Sequence, residues 1–138
     1  MNLTLRHVKQ DFIAQTWPLV EGFIASAVEK GDAQDYGADQ IKVYLTTGQW
    51  ILLVATDEGG TIHGAATLSF INYPNYRVAF VTSTGGKLIC NDDTLAQLKK
   101  IAYHFGATKI QAGARESVVR LLQRLGFKER YTVIETSI

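Results

Sequence analysis

Cysteine occurs once in the 138 residues, at Cys90. A lone thiol excludes an internal disulfide framework and any cysteine-rich metal site within one chain, and it suits a reducing compartment. Proline is almost as scarce, with two residues, so no proline-rich linker divides the chain. No segment repeats another at a fixed period. Residues 1–138 are therefore expected to fold as one domain. No apolar run reaches the ~20 residues that span a bilayer. The opening stretch, MNLTLRHVKQDFIAQ, lacks the basic start and apolar core of a secretory signal. The expectation is a cytoplasmic protein with no membrane attachment. Charge of one sign is missing too: 14 Lys and Arg stand against 13 Asp and Glu, a net +1. That balance gives no electrostatic basis for binding nucleic acid. The histidines at 7, 63 and 104 lack metal-ligand spacing, and no metal is expected.

What the chain does have is patterned apolar residues, 46% of the total. Residues 2–8 alternate, with Leu3, Leu5 and His7 on one side, as in a half-buried strand. Phe12, Ile13, Trp17, Val20, Phe23, Ile24 and Val28 recur at three- and four-residue steps, a helical stripe. Pro18 is tolerated only in a first turn, which puts the start of the regular helix near Trp17. The polar stretch GDAQDYGAD separates this helix from a shorter one around Ile41, Tyr44 and Leu45. Residues 50–55 and 62–71 read as a hairpin closed by DEGG, and 77–81 as a third strand of the meander. Asn91 and Asp92 offer caps for a helix bearing Leu95, Leu98, Ile101, Ala102 and Phe105 and ending at Gly106. A strand at 109–112, a helix at 118–125 and a β-rich segment at 127–138 complete the chain. Cys90, with no histidine near it in sequence, reads as a small buried filler.

The resulting order, β-α-α-β-β-β-α-β-α-β, describes an α/β protein with a mixed, mostly antiparallel sheet and helices on both faces. This order, together with FGATKI followed by ARESVVRLLQRLGFKER, resembles the GNAT superfamily of N-acetyltransferases, whose domains close on a similar helix–GA–strand–helix–LGF pattern. The resemblance is residue-specific from about Lys99 to Arg130 and rests on element order elsewhere. It implies acetyl-CoA as cofactor, bound in a gap between the fourth and fifth strands, and acetyl transfer to an amine. Small tailed-phage proteins described as GNAT-like or internal virion proteins are also similar. That likeness implies an alternative, a catalytically silent scaffold used for protein contacts, virion-associated if phage-encoded.

Against the family pattern, the cofactor loop is altered. The resemblance implies a loop Arg/Gln-x-x-Gly-x-Gly/Ala whose backbone N–H groups hold a pyrophosphate at a helix N-terminus. The matching segment here is VTSTGGKLICND, with Gly86 at the Arg or Gln position and Ile89 and Asn91 where glycines stand. Side chains there obstruct close approach of the backbone to phosphate, and Asp92 and Asp93 add like charge. The remaining cofactor candidates are Val81 and Thr82 at the strand gap and Gly85, Gly86 and Lys87 as a small anion-binding corner. Leu122 occupies the position at which many family members carry a general-acid tyrosine, and no residue is assigned a catalytic role. The groups that could substitute are Tyr131, Glu135, Glu116 and the hydroxyls of Thr82, Ser83 and Thr84. Finally, 128–138 supplies one closing strand where the family has two, so an open edge on the C-terminal side of the sheet is expected to bind a second copy or another protein.

Overall fold

The computed structural model describes residues 2–30 and 35–138. Met1 and residues 31–34 of the GDAQDYGAD stretch lie outside the described residues. Ten elements follow one another: β1 (Thr4–Val8), a 3-10 turn (Gln10–Phe12), α1 (Ile13–Lys30), α2 (Ala38–Thr46), β2 (Ile51–Thr56), β3 (Ile62–Asn72), β4 (Arg77–Gly86), α3 (Asp92–His104), β5 (Lys109–Ala112) and α4 (Glu116–Arg124). The sheet runs in chain order, β1-β2-β3-β4-β5, with antiparallel pairs except β4 and β5, which are parallel. The mixed, mostly antiparallel sheet is the one the sequence pattern implies.

Two apolar layers cover the sheet. On one face Ile13, Trp17, Val20 and Ile24 of α1 and Ile41 and Leu45 of α2 pack on Leu52, Val54 and Ala65. On the other, Leu95, Leu98 and Ala102 of α3 pack on Leu3, Leu5, Leu53, Ala55, Ala66, Leu68 and Ala79. Each fully buried side chain of this size contributes roughly 1.5–3 kcal/mol. That sum explains a departure from the expected start of α1: Pro18 stands inside the helix, which begins at Ile13 and not near Trp17. The proline removes one backbone donor, but burial of Ile13 and Trp17 before it and of Val20 and Ile24 after it holds the turns on either side to the sheet.

His7 on β1 meets the Phe105 ring edge-on at 5.0 Å, and His104 meets the same ring at 5.5 Å. Burial, then the charges of His104 and Lys9, hold the His7 imidazole below its ordinary value. The fold thus favours neutral His7.

Two further expectations need correction. Residues 127–138 form no strand in the structure, although their composition is β-rich. Tyr131, Val133 and Ile134 are 67%, 80% and 89% exposed, so the segment has no sheet face to cover and its alternation finds no partner. Cys90 is exposed, not a buried filler, because Leu88 takes the inward position at this corner. Among the described residues no helix is long and apolar enough to cross a membrane, and no group of three metal-ligating side chains gathers.

Candidate cofactor and acceptor cleft

β4 and β5 pair over only four residues, from Val78 opposite Lys109 to Val81 opposite Ala112. Beyond that point β4 continues to Gly86 along β3 while β5 ends. The strands part because β4 bulges there: Thr67 faces Ser83 and Leu68 faces Val81, leaving Thr82 as the extra residue. A bulge bends its strand and re-aims the side chains next to it. The result is a cleft of about 650 Å³ running from the fork toward α1 and α4, within the usual size of a small-molecule site.

β4 supplies one wall with Val81, Thr82, Ser83, Thr84, Gly85 and Gly86. α4 faces it with Val118, Leu121 and Leu122. This helix has no buried residue although it is strongly amphipathic, because its apolar side lies along the cleft and not in the core. At the α1 end the cleft is bounded by Ser26, Lys30, Asp35 and Tyr36. Burial first, then Asp35 and Tyr44, push the Tyr36 phenol up from its ordinary value, so it stays protonated. Its ring stands edge-on to Trp50 at 4.9 Å, and Trp50 stacks on Tyr44 at 4.4 Å. Arg115, just before α4, also lines the cleft and donates to the Lys30 carbonyl at 3.4 Å.

Of the sequence candidates, Val81, Thr82, Gly85 and Gly86 come together on the cleft wall. Lys87 does not line it; its backbone N–H donates to the His63 carbonyl at 2.9 Å, tying the chain to β3. Gly85 and Gly86 belong to β4, which is longer than the expected 77–81, and α1 lies close against both. Leu122 does face the cleft. Glu116 instead pairs with Arg120 at 3.5 Å on the surface, and Tyr131 is exposed beside Arg130. Thr82, Ser83 and Thr84 all line the cleft. Lys30, Asp35, Tyr36 and Arg115 were not singled out by the sequence; the only signal was an aromatic embedded in the polar GDAQDYGAD stretch.

The start of α3 is closed by its own side chains. Thr94 N–H donates to Asn91 Oδ1 at 2.9 Å, while Cys90 and Asn91 N–H donate to Thr94 Oγ1 at 3.0 and 3.2 Å. Three backbone donors at this corner, those of Cys90, Asn91 and Thr94, are therefore engaged, and the carboxylates of Asp92 and Asp93 in the first turn oppose a phosphate by like charge. A second acidic group lies at the β2–β3 hairpin. His63 meets Asp57 at 2.7 Å, and that hydrogen bond, followed by the Thr61 N–H, holds the Asp57 carboxyl below its ordinary value. The pair closes the turn and is not part of the cleft wall.

No family model matches the sequence, and no curated protein does. Solved structures do. An aminoglycoside acetyltransferase from an uncultured soil metagenomic sample, in complex with sisomicin, superposes with a TM-score of 0.69 at 9% identity, covering 99% of this chain and 95% of that one. A predicted acetyltransferase with acetyl-CoA from Clostridium acetobutylicum gives 0.63 at 14% identity, covering 99% and 96%. A Trypanosoma brucei acetyltransferase gives 0.60 at 15% identity, covering 99% and 100%. Helix and strand order, the forked β4 and β5, and these superpositions agree: the chain has the GNAT fold, at a sequence distance that marks it as divergent.

Proposed function

We propose that this chain is an acetyl-CoA-dependent N-acetyltransferase that acts on an amine. The observation that carries the reading is the parting of β4 from β5 after Val81 and Ala112. It leaves one edge of residues 82–86 without a strand partner beside an apolar cleft, a fit for an extended arm that carries amides. The thioester supplies an activated acetyl group. The protein's part is to hold the arm along Val81, Thr82, Gly85 and Gly86, with Val118 and Leu122 excluding water from the opposite side. The diphosphate does not fit the self-capped start of α3. In this reading it meets Arg115 and Lys30 at the cleft wall and Lys87 just beyond it.

Calorimetric titration with acetyl-CoA tests the reading. Micromolar binding is expected, weakened about three- to tenfold by Arg115→Ala and by Lys87→Ala as each removes one phosphate-facing charge. Absence of heat at millimolar acetyl-CoA would sink the enzyme reading. It would leave the silent scaffold, which is favoured by the engaged N–H groups at Asn91 and Thr94.

The proposal includes a partner. Among the described residues no strand lies on the outer edge of β5, and the segment after α4 holds exposed Tyr131, Val133 and Ile134. An open edge and an unpaired β-rich segment in one chain suit a homodimer on this side of the sheet. Light scattering across a concentration series is expected to show the dimer, with Val133→Lys shifting it toward monomer. A strict monomer at high concentration would contradict it.

A further inference from the structure

At the fork of the sheet three hydroxyls form a chain whose proton order is fixed by counting. Thr82 Oγ1 lies 3.0 Å from the Thr67 carbonyl, which can only accept, so the Thr82 hydroxyl donates there. Thr82 has then used its one proton. The 2.7 Å contact between Thr82 Oγ1 and Thr67 Oγ1 must be donated by Thr67. Thr67 has in turn used its own, and the 2.6 Å contact between Thr67 Oγ1 and Ser83 Oγ must be donated by Ser83. The chain runs Ser83 to Thr67 to Thr82 to a backbone carbonyl. Thr67 is fully buried, so water does not scramble this order.

Ser83 is the end of the chain with both lone pairs free, whereas Thr82 and Thr67 each already accept one bond. Its proton points inward, Ser83 has no other side-chain hydrogen bond among those of the described residues, and it lines the cleft beside Thr82 and Thr84. It therefore offers lone pairs, and no proton, to whatever lies at the fork. We infer that Ser83 Oγ positions the acceptor by receiving one of its N–H groups, with Thr67 as the positioning residue that keeps the Ser83 proton turned away. The inference rests on the acetyltransferase reading and deepens it: the acceptor class is a primary or secondary amine that enters neutral. With one N–H held by Ser83, the nitrogen lone pair is free to form the C–N bond as the C–S bond breaks and the electron pair leaves with sulfur. The hydroxyl chain ends on a carbonyl and takes up no proton. The proton lost by nitrogen goes to solvent in the open cleft, and the sulfur is protonated from solvent.

The test uses the full chain with acetyl-CoA, butylamine as the acceptor probe and water as the fallback acceptor, reading thiol release. Ser83→Ala and Thr67→Val are each expected to raise the KM for butylamine about tenfold, as for loss of one hydrogen bond. Acetyl-CoA affinity by calorimetry should stay unchanged. Thr67→Ser restores the hydroxyl and is expected to return KM to within about threefold of the parent. A purely structural role for Thr67 would move thermal stability and leave the KM alone. If acetyl-CoA binds yet Ser83→Ala and Thr67→Val keep the parental KM, the inference is wrong and the reading stands. If it binds and the parent releases no thiol to butylamine or water, Ser83 positions no acceptor. If acetyl-CoA does not bind, the reading falls first and takes the inference with it.

Discussion

Replacing Leu122 with tyrosine is expected to raise thiol release from acetyl-CoA by about 10²-fold, the lower end of what a positioned general acid supplies. A departing alkyl thiolate has a conjugate-acid pKa of about 8.5, so a protonated group beside it lowers the barrier to C–S cleavage. Leu122 lies on α4, half-buried, directly on the cleft wall. It faces the open volume of the cleft, so a phenol is accommodated without displacing core residues. Tyr36, the phenol already at the cleft, is held against Trp50 at the α1 end. Leu122→Phe is the size control and should match the parent. In a pH profile of turnover, the tyrosine variant should lose its advantage as pH rises through about 10, where the phenol ionises. An unchanged rate in both variants would mean that sulfur does not sit near residue 122.

Valine in place of Gly85 is expected to destabilise the fold by about 3 kcal/mol, a fall of roughly 10 °C in Tm for a chain of this size. A Cβ at Gly85 would lie 3.2 Å from Phe23 Cα and nearer still to the Phe23 carbonyl. Those are backbone atoms of α1 and cannot turn aside as a side chain would. The helix must lift from β4, and the burial of Val20 and Ile24 weakens with it. Gly22→Ala, one residue away on the same helix, is the control. A Cβ there meets nothing within 4 Å, and mid-helix alanine should stabilise by about 0.5–1 kcal/mol. Equal melting temperatures for Gly85→Val and the parent, measured calorimetrically, would show that α1 is not seated on Gly85. The result also bears on phosphate binding, since a glycine needed for helix packing need not mark an anion site.

The fold was readable because its elements carry strong periodicity. Leu95, Leu98 and Ala102 predict the face of α3 that meets the sheet, and Gly106, at φ 87°, ends the following turn in a conformation that favours glycine. The limits of β4 were less readable. Residues 82–86, TSTGG, have no apolar alternation and look like a loop, yet pairing with β3 from Gly64 to Thr67 holds them in the sheet. The 127–138 segment misled in the opposite sense, since β propensity without a neighbouring strand does not make a strand. Cleft residues were the hardest to foresee. Arg115 is far in sequence from Lys30, Asp35 and Tyr36 and joins them only through tertiary packing, while the hydroxyl chain depends on a one-residue bulge.

The capped start of α3 has a thermodynamic consequence. Asn91 and Thr94 cap that helix without any ligand, and its apolar face is already in the core. α4, by contrast, buries no residue and turns Val118, Leu121 and Leu122 to open space. Linkage between a bound molecule and the fold is therefore one-sided. A ligand in the cleft does little for α3 and completes the apolar environment of α4, so one of the two helices is finished by folding and the other by binding.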